Sequence, residues 1–147
     1  MPPAFRPITA ADIDPLLDMM AQLYARSADF DAGRARRGAE TLLKEPEFGA
    51  AWMIELDGNV AGYLVVLLGY SLEFGGRFGL LDELFVVESC RGNGIGAEAV
   101  AFAECQCRAR GWQALRLEVG HENQRALWLY RRSGFQMHDR YLMTKWM

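Results

Sequence analysis

The sequence predicts a single α+β domain in which a central mixed β-sheet carries helices on both faces. Two amphipathic helical segments come first, strand-type runs follow, and the second half alternates strand, helix, strand and helix. A strand–helix–strand unit within one sheet makes a parallel crossover. The 147 residues are enough for one domain with its own core.

Three patterns define the first half of the chain. Thr9 precedes a helix, since apolar residues follow it at helical spacing. The next helix ends before Pro46, and the turn Asp57-Gly58-Asn59 between two apolar runs is typical of a β-hairpin. The predicted elements are a strand at 5–8, helices at about 10–24 and 32–44, and strands at 51–56 and 60–68.

The second half is punctuated by glycines. Gly111 and Gly134 each follow a helical segment, where glycine commonly ends a helix. The predicted elements are a strand at 80–87, a helix at 95–110, a strand at 114–119, a helix at 123–133, and terminal strands at 135–137 and 141–146. Residues 70–78 are interpreted as a loop.

Composition and charge exclude several classes of protein. The net charge of -3 is unfavourable for nucleic-acid binding, which needs a basic face. No apolar segment approaches the length of a membrane helix and no signal-peptide pattern is visible, so we expect a cytoplasmic protein without membrane contact. Cys90, Cys105 and Cys107 match neither a disulfide framework nor zinc-ligand spacing, so no metal is expected.

The most informative motif is a glycine-rich turn between a strand and a helix, Arg91-Gly92-Asn93-Gly94-Ile95-Gly96. Without Cβ atoms the backbone can approach a ligand closely and direct its N–H groups inward. The helix N-terminus adds positive potential, and Arg91 adds a permanent cation. The turn is interpreted either as a cradle for a phosphate or pyrophosphate, or as a tight turn that needs glycine only for its dihedral angles.

Spacing narrows the choice of phosphate ligand. The lysine of a nucleotide-hydrolase loop is missing. A dinucleotide fingerprint would need its third glycine at Ala97, but Gly96 comes one position earlier. The turn also follows a late strand instead of the first one. A nicotinamide-dependent oxidoreductase therefore stays a distant alternative.

Two motifs together resemble the GNAT N-acetyltransferase superfamily. Leu81 to Val87 followed by Arg91 to Gly96 is similar to the acetyl-CoA motif Arg/Gln-x-x-Gly-x-Gly/Ala, and Asn123-x-x-Ala126-x-x-x-Tyr130-x-x-x-Gly134-Phe135 resembles the second signature. Within the superfamily the likeness is greatest to diamine and polyamine acetyltransferases of the spermidine/spermine type. The resemblance implies one N-acetyltransferase domain over residues 1–147, with a helical substrate side at 1–48, an acetyl-CoA-binding core at 79–137, and a homodimer.

The resemblance also implies acetyl-CoA as the acyl donor. Its pantetheine arm would pair with the strand before the glycine turn, and its pyrophosphate would accept the N–H groups of the turn. The cofactor-binding residues implied in this way are Leu84, Phe85, Val86, Val87, Arg91, Gly92, Asn93, Gly94, Ile95, Gly96, Ala97, Asn123, Ala126 and Tyr130.

Three residues are candidates for catalysis. Tyr130 corresponds to the family's general acid, and helical spacing places it on one face with Asn123 and Ala126. Asp82 and Glu83 are adjacent on a strand, so strict alternation would direct them to opposite faces. The resemblance favours Asp82 as general base and leaves Glu83 as a contact for the amine or as the alternate base. Such a carboxylate needs a raised pKa or a relay of waters.

The predicted function is acetyl transfer from acetyl-CoA to a primary amine by direct attack in a ternary complex. The acceptor is a small amine, a polyamine or a peptide amine. A non-catalytic sensor that binds acyl-CoA is the alternative from another class. Substrate recognition is expected from the N-terminal helices and the 70–78 loop, with acidic and aromatic candidates Tyr24, Asp29, Phe30, Asp31, Glu40 and Glu73.

Overall fold

The computed structural model describes all 147 residues, with a five-stranded sheet at its centre. The strands are β1 (Ala4–Pro7), β2 (Gly49–Leu56), β3 (Asn59–Ser71), β4 (Gly76–Val86) and β5 (Leu115–Leu117). The helices are α1 (Ile13–Leu23), α2 (Ala32–Lys44), α3 (Ile95–Ala109) and α4 (Gln124–Arg132). None of these helices combines the length and apolar character that a membrane span requires.

The sheet follows the chain from one edge to the other, in the order β1-β2-β3-β4-β5. Neighbouring strands among the first four, β1 to β4, are antiparallel. β5 lies parallel to β4, because α3 carries the chain back to the starting end of the sheet. The predicted α+β class, with a mixed sheet and one parallel crossover, is therefore confirmed.

Helices cover both faces of the sheet because strand side chains alternate between the faces. The core beneath α3 includes Leu64, Val66, Leu81, Ala99, Val100 and Ala103. The core beneath α1 and α2 includes Leu16, Met19, Met53, Tyr63, Val65 and Phe85. Fully burying an aliphatic or aromatic side chain stabilises a fold by about 1.5–3 kcal/mol, so these two cores fix the sheet between its helices.

A β-bulge interrupts β4 at Asp82. Val65 of β3 pairs with Glu83, whereas the next residue, Val66, pairs with Leu81, so Asp82 has no partner on β3. The extra residue reverses the alternation along β4. Leu81 faces the core beneath α3, and Glu83, two positions later, faces the side of α1 and α2 instead of repeating the orientation of Leu81.

The predicted loop at 70–78 is wrong. β3 continues to Ser71 and β4 begins at Gly76, so only a short turn separates them. Gly69, Gly76 and Gly79 weaken the strand pattern of the sequence, since glycine has no side chain to alternate. At Gly69 a Cβ would lie 2.3 Å from the Phe78 ring, so any larger residue there would displace that ring.

The predicted terminal strands at 135–137 and 141–146 are also wrong. No strand follows α4, and the side chains of Tyr141, Leu142 and Met143 are exposed. Trp146 instead lies against the Arg34 guanidinium, 4.4 Å from the ring centroid, at the start of α2. Apolar residues predict burial only when a neighbouring strand or helix receives them, and this segment has no such neighbour within the chain.

Candidate active site

One edge of β4 is left open near its end. β5 pairs with β4 only from Gly79 to Leu81, so residues 82–86 lack a partner on that side. The Val87 N–H donates to the Ala61 carbonyl across β3, at 2.8 Å. Because backbone groups alternate along a strand, the N–H groups of Leu84 and Val86 point to the open side.

The bulge decides which residues line this edge. Before it, the Gly79 N–H donates to Ala114 beside β5, at 2.9 Å. If β4 had no bulge, regular alternation from Gly79 would direct the backbone N–H of Phe85 to the open side. The residues of the predicted cofactor-binding segment 84–87 therefore differ in the direction of their backbone groups. Leu84 and Val86 present their backbone to the gap, whereas Phe85 and Val87 are hydrogen-bonded towards β3 and pack on the core beneath α1.

The glycine turn follows directly. Gly92 (φ +84°) and Gly94 (φ +78°) occupy the left-handed region that strongly favours glycine. No side chain caps the N-terminus of α3, and nothing lies within 4 Å of a Cβ placed at Gly94. The third glycine has a packing role: a Cβ at Gly96 would lie 3.0 Å from Leu129, so α4 rests against the start of α3. Asn93, Ile95 and Ala97 complete this turn and the first turn of α3.

Two arginines approach the turn, and sequence reasoning identified only one. The Arg91 Nε donates to the Val86 carbonyl at 2.8 Å, so Arg91 also holds the end of the open edge. A guanidinium nitrogen of Arg125 lies 3.8 Å from a Cβ position at Gly92. Arg125 belongs to the first turn of α4, and the contact of α4 with Gly96 brings it to the glycine turn. In the sequence, only its position two residues after Asn123 indicated that Arg125 could lie near the glycine turn.

The spacing of Asn123, Ala126 and Tyr130 on α4 has a local structural basis. Asn123 caps the helix, because its Oδ1 accepts the Ala126 N–H at 3.2 Å. Tyr130 is half-buried, and its ring packs edge-on against Phe135 with centroids 5.9 Å apart. Burial raises the pKa of its hydroxyl. Tyr130, Leu84 and Val86 all pack on the core beneath α3, so the tyrosine lies on the same side of the sheet as these residues of the open edge.

Glu83 is held by two tyrosines. Its Oε1 accepts a hydrogen bond from the Tyr63 hydroxyl and its Oε2 accepts one from Tyr24, both at 2.8 Å. Tyr63 is fully buried on β3, and Tyr24 ends α1. Burial raises the pKa of Glu83, the two hydroxyls oppose that rise, and the charge of Asp82 adds to it. Glu83 is therefore a fixed, preorganised carboxylate.

Asp82 has a different environment. Its side chain is exposed at the bulge and makes no hydrogen bond, although the surrounding protein partly desolvates it and raises the pKa of its carboxyl. The charge of Asp82 raises the pKa values of Glu83, Tyr24 and Tyr63. The expectation that only one of Asp82 and Glu83 can serve a given site rested on strict alternation, which the bulge removes.

A third carboxylate, Glu118, acts on Tyr24. Glu118 directly follows β5, and its charge contributes to the raised pKa of Tyr24. Of the other acidic candidates, Asp31 caps α2 by accepting the Arg34 N–H at 2.8 Å, which is a structural role. Acidic groups thus gather beside the end of β4, next to the open edge.

The fold and the open edge beside a glycine turn define a class, the N-acetyltransferases. A sequence model described as the acetyltransferase (GNAT) family matches residues 17–135, and the chain belongs to this family. The protein is therefore an enzyme of GNAT type. The predicted superfamily is confirmed, and the finer likeness to polyamine acetyltransferases stays a prediction.

Similar proteins agree with this class. An uncharacterized N-acetyltransferase of Bacillus subtilis, YhfO, is 28% identical over 130 residues, covering 86% of this chain and 83% of its own. The aminoalkylphosphonate N-acetyltransferase of Salmonella typhimurium is 26% identical over 137 residues, covering 92% and 87%. A predicted acetyltransferase of Clostridium acetobutylicum, crystallised with acetyl-CoA, has the same fold with a TM-score of 0.81 at 16% identity, covering 97% and 96%.

Proposed function

We propose that this enzyme transfers an acetyl group from acetyl-CoA to a primary amine, by direct attack in a ternary complex. The observation that carries the proposal is the open edge of β4. It connects the glycine turn at one end to the carboxylates Asp82 and Glu83 at the other. A donor with a phosphate end, an amide-containing arm and a reactive end fits that order of groups.

The site fits acetyl-CoA group by group. The N–H groups of Gly92 to Ala97 suit a pyrophosphate, with Arg91 and Arg125 as cations beside it. The backbone groups of Leu84 and the N–H of Val86 are free to pair with the amides of a pantetheine arm, as an added strand would, whereas the Val86 carbonyl already accepts from Arg91. Acetyl-CoA in the similarly folded Clostridium acetobutylicum protein supports this choice of donor.

The two carboxylates have different proposed roles towards the amine. Glu83, held at both oxygens, provides a fixed negative charge for the incoming ammonium. Asp82 is free of hydrogen bonds, and the raised pKa of its carboxyl suits proton acceptance. We assign Asp82 as the base, directly or through a water, and Glu83 as the amine-binding anchor. Glu83 is the alternate base.

Acyl transfer makes a nitrogen–carbon bond to the amine and breaks the carbon–sulfur bond of the donor. When bound, acetyl-CoA supplies a thioester carbonyl carbon. The neutral amine, formed when Asp82 takes one proton from the ammonium, bonds to this carbon while the carbon–sulfur bond breaks. The second proton that the nitrogen loses on becoming an amide passes, directly or through water, to the tyrosinate left when Tyr130 protonates the sulfur. An N–H of the open edge, from Leu84 or Val86, stabilises the developing oxyanion. Tyr130 donates a proton to the departing sulfur. Its raised pKa keeps it protonated, and a thiol pKa of about 8.5 makes full transfer uphill, so we expect much of its effect as a hydrogen bond.

An amine-panel assay that detects released CoA thiol tests the proposal. The panel contains small amines, polyamines, aminoalkyl acids and a peptide with a free amine. The Salmonella typhimurium relative supports a small-amine acceptor. Turnover of at least one amine is expected, and Asp82→Asn should reduce it. Binding of acetyl-CoA with no turnover of any amine would favour the sensor, and binding of NAD instead would favour an oxidoreductase.

We also propose that the enzyme is a homodimer. The exposed apolar residues of the C-terminal segment, Tyr141, Leu142 and Met143, support a surface that is covered in an assembly. Light scattering coupled to size-exclusion chromatography should give twice the chain mass of 16.6 kDa. A mass of one chain would contradict the dimer without affecting the assignment of the active site.

A further inference from the structure

We infer that Arg116 binds an anionic group of the acceptor, so that the preferred substrate carries a carboxylate, phosphonate or similar group besides its amine. This inference rests on the proposed function and assigns the substrate class of the same site. Arg116 takes part in none of the ion pairs or side-chain hydrogen bonds of the structure, although its residue is half-buried.

The register of β5 places Arg116 on the side of the sheet where the amine is proposed to bind. Arg116 pairs with Leu80, and its neighbours Leu115 and Leu117 pack on the core beneath α3. Alternation therefore directs Arg116 to the opposite face. Glu83 points to that same face, towards Tyr24 and Tyr63.

Two aromatic rings position the guanidinium. Its central carbon lies 5.2 Å from the Phe74 ring centroid and 5.7 Å from that of Phe78. The Phe78 ring packs over Gly69, and the two phenylalanines pack edge to face with centroids 5.6 Å apart. A cation stacked on rings loses little freedom on binding and keeps its N–H donors available.

The spacing suits a short bifunctional molecule. Leu80, opposite Arg116, and Glu83 are three positions apart on β4, which corresponds to on the order of 10 Å along a strand. The long arginine side chain can shorten that distance. An acceptor whose amine contacts Asp82 and Glu83 can therefore reach Arg116 with an anionic group a few bonds away. The same guanidinium would repel the second ammonium of a diamine, which opposes a polyamine acceptor.

The test compares isosteric amines with and without a carboxylate. β-Alanine is paired with propylamine, and ε-aminocaproate with hexylamine, so that chain length is varied as well. The wild-type kcat/KM should favour at least one anionic amine over its partner by about tenfold or more. Arg116→Gln should raise the KM of that amine by roughly 10- to 100-fold, the effect expected for a lost hydrogen bond between charged groups. The KM of the partner amine without a carboxylate should change by less than about threefold.

A matched variant separates this effect from net charge. Arg77→Gln removes the same charge from β4 at the neighbouring position to Phe78, on the opposite face of the sheet. Arg77→Gln should leave the kcat/KM of both amines unchanged. Arg116→Lys should retain part of the preference for the amine with a carboxylate. An equal loss for both amines in Arg116→Gln, an equal effect of Arg77→Gln, or a wild-type enzyme without preference would overturn the inference.

Failure of the proposed function has a different signature. If the wild-type protein acetylates none of these amines, saturation-transfer NMR with CoA present measures their binding directly. Tighter binding of the anionic amine that disappears in Arg116→Gln would keep the anion site and refute catalysis. Equal binding of both members of each pair would refute the anion site.

Discussion

Removing one tyrosine hydroxyl from Glu83 should change the pH dependence of catalysis. Tyr63→Phe keeps the buried ring and deletes only the 2.8 Å hydrogen bond to Oε1. That bond favours the ionised carboxylate, in which form Glu83 is proposed to hold the ammonium. Without it, protonated Glu83 persists to higher pH, so activity should begin to rise at a higher pH than in the wild type.

The size of the effect follows from the hydrogen bond. A hydrogen bond to a charged group contributes about 1.5–3 kcal/mol, and about 1.36 kcal/mol corresponds to one pH unit. Because Glu83 is only half-buried and keeps its bond to Tyr24, the lower end applies. The acid limb of kcat/KM should therefore move to higher pH by about one unit. Tyr24→Phe should move it in the same direction.

The assay is a pH profile of kcat/KM for the amine in these variants. Tyr70→Phe is the control, since Tyr70 is exposed on β3 and makes no hydrogen bond. An acid limb that stays in place, or moves to lower pH, would refute the reasoning even if activity falls. Besides burial, the charge of Asp82 raises the pKa of Glu83, so the limb is expected to report the pair and not one residue.

Three further predictions test other parts of the site. Tyr130→Phe should lower kcat by about tenfold or more with little change in acetyl-CoA affinity; full activity would exclude the general-acid role. Gly94→Ala and Gly58→Ala strain equivalent backbones, with φ +78° and +79°, so both should lower the melting temperature, but only Gly94→Ala should raise the KM for acetyl-CoA. Burial raises the pKa of Asp82 on folding, so the protonated carboxyl costs the folded state nothing below its unfolded pKa, and the ionised form destabilises it as pH rises through the folded pKa. Asp82→Asn should therefore raise the melting temperature at pH 7 and not near pH 3.

Local patterns predicted most of the fold. The bounds of α2 and the start of α3 agree with those expected from Pro46 and the glycine turn. The hairpin turn around Gly58 was also recognised, because turn chemistry is decided by residues close in sequence. The prediction of strands in the C-terminal segment was wrong, because its apolar residues carry no information on whether a strand is available to pair with them.

The arrangement of the site was harder to predict. Tyr24, Tyr63 and Glu83 are distant in sequence and meet only through the packing of α1 on the sheet. The bulge at Asp82 arises from the pairing of β4 with β3, so the sequence around it looks like an ordinary alternating strand. Arg116 was missed for the same reason, since its partners Phe74 and Phe78 lie in a segment interpreted as a loop.

The open edge of β4 also bears on the lifetime of the enzyme. Unpaired strand edges recruit other chains and lead to aggregation, and this one is protected only by its short length and by the bulge. A donor that completes the sheet would close the edge while it is bound. At a hundredfold excess over its dissociation constant, a ligand adds about 2.7 kcal/mol to stability. We therefore expect bound acetyl-CoA to protect the folded protein. When acetyl-CoA is scarce, the protein should be degraded faster and should precipitate more readily.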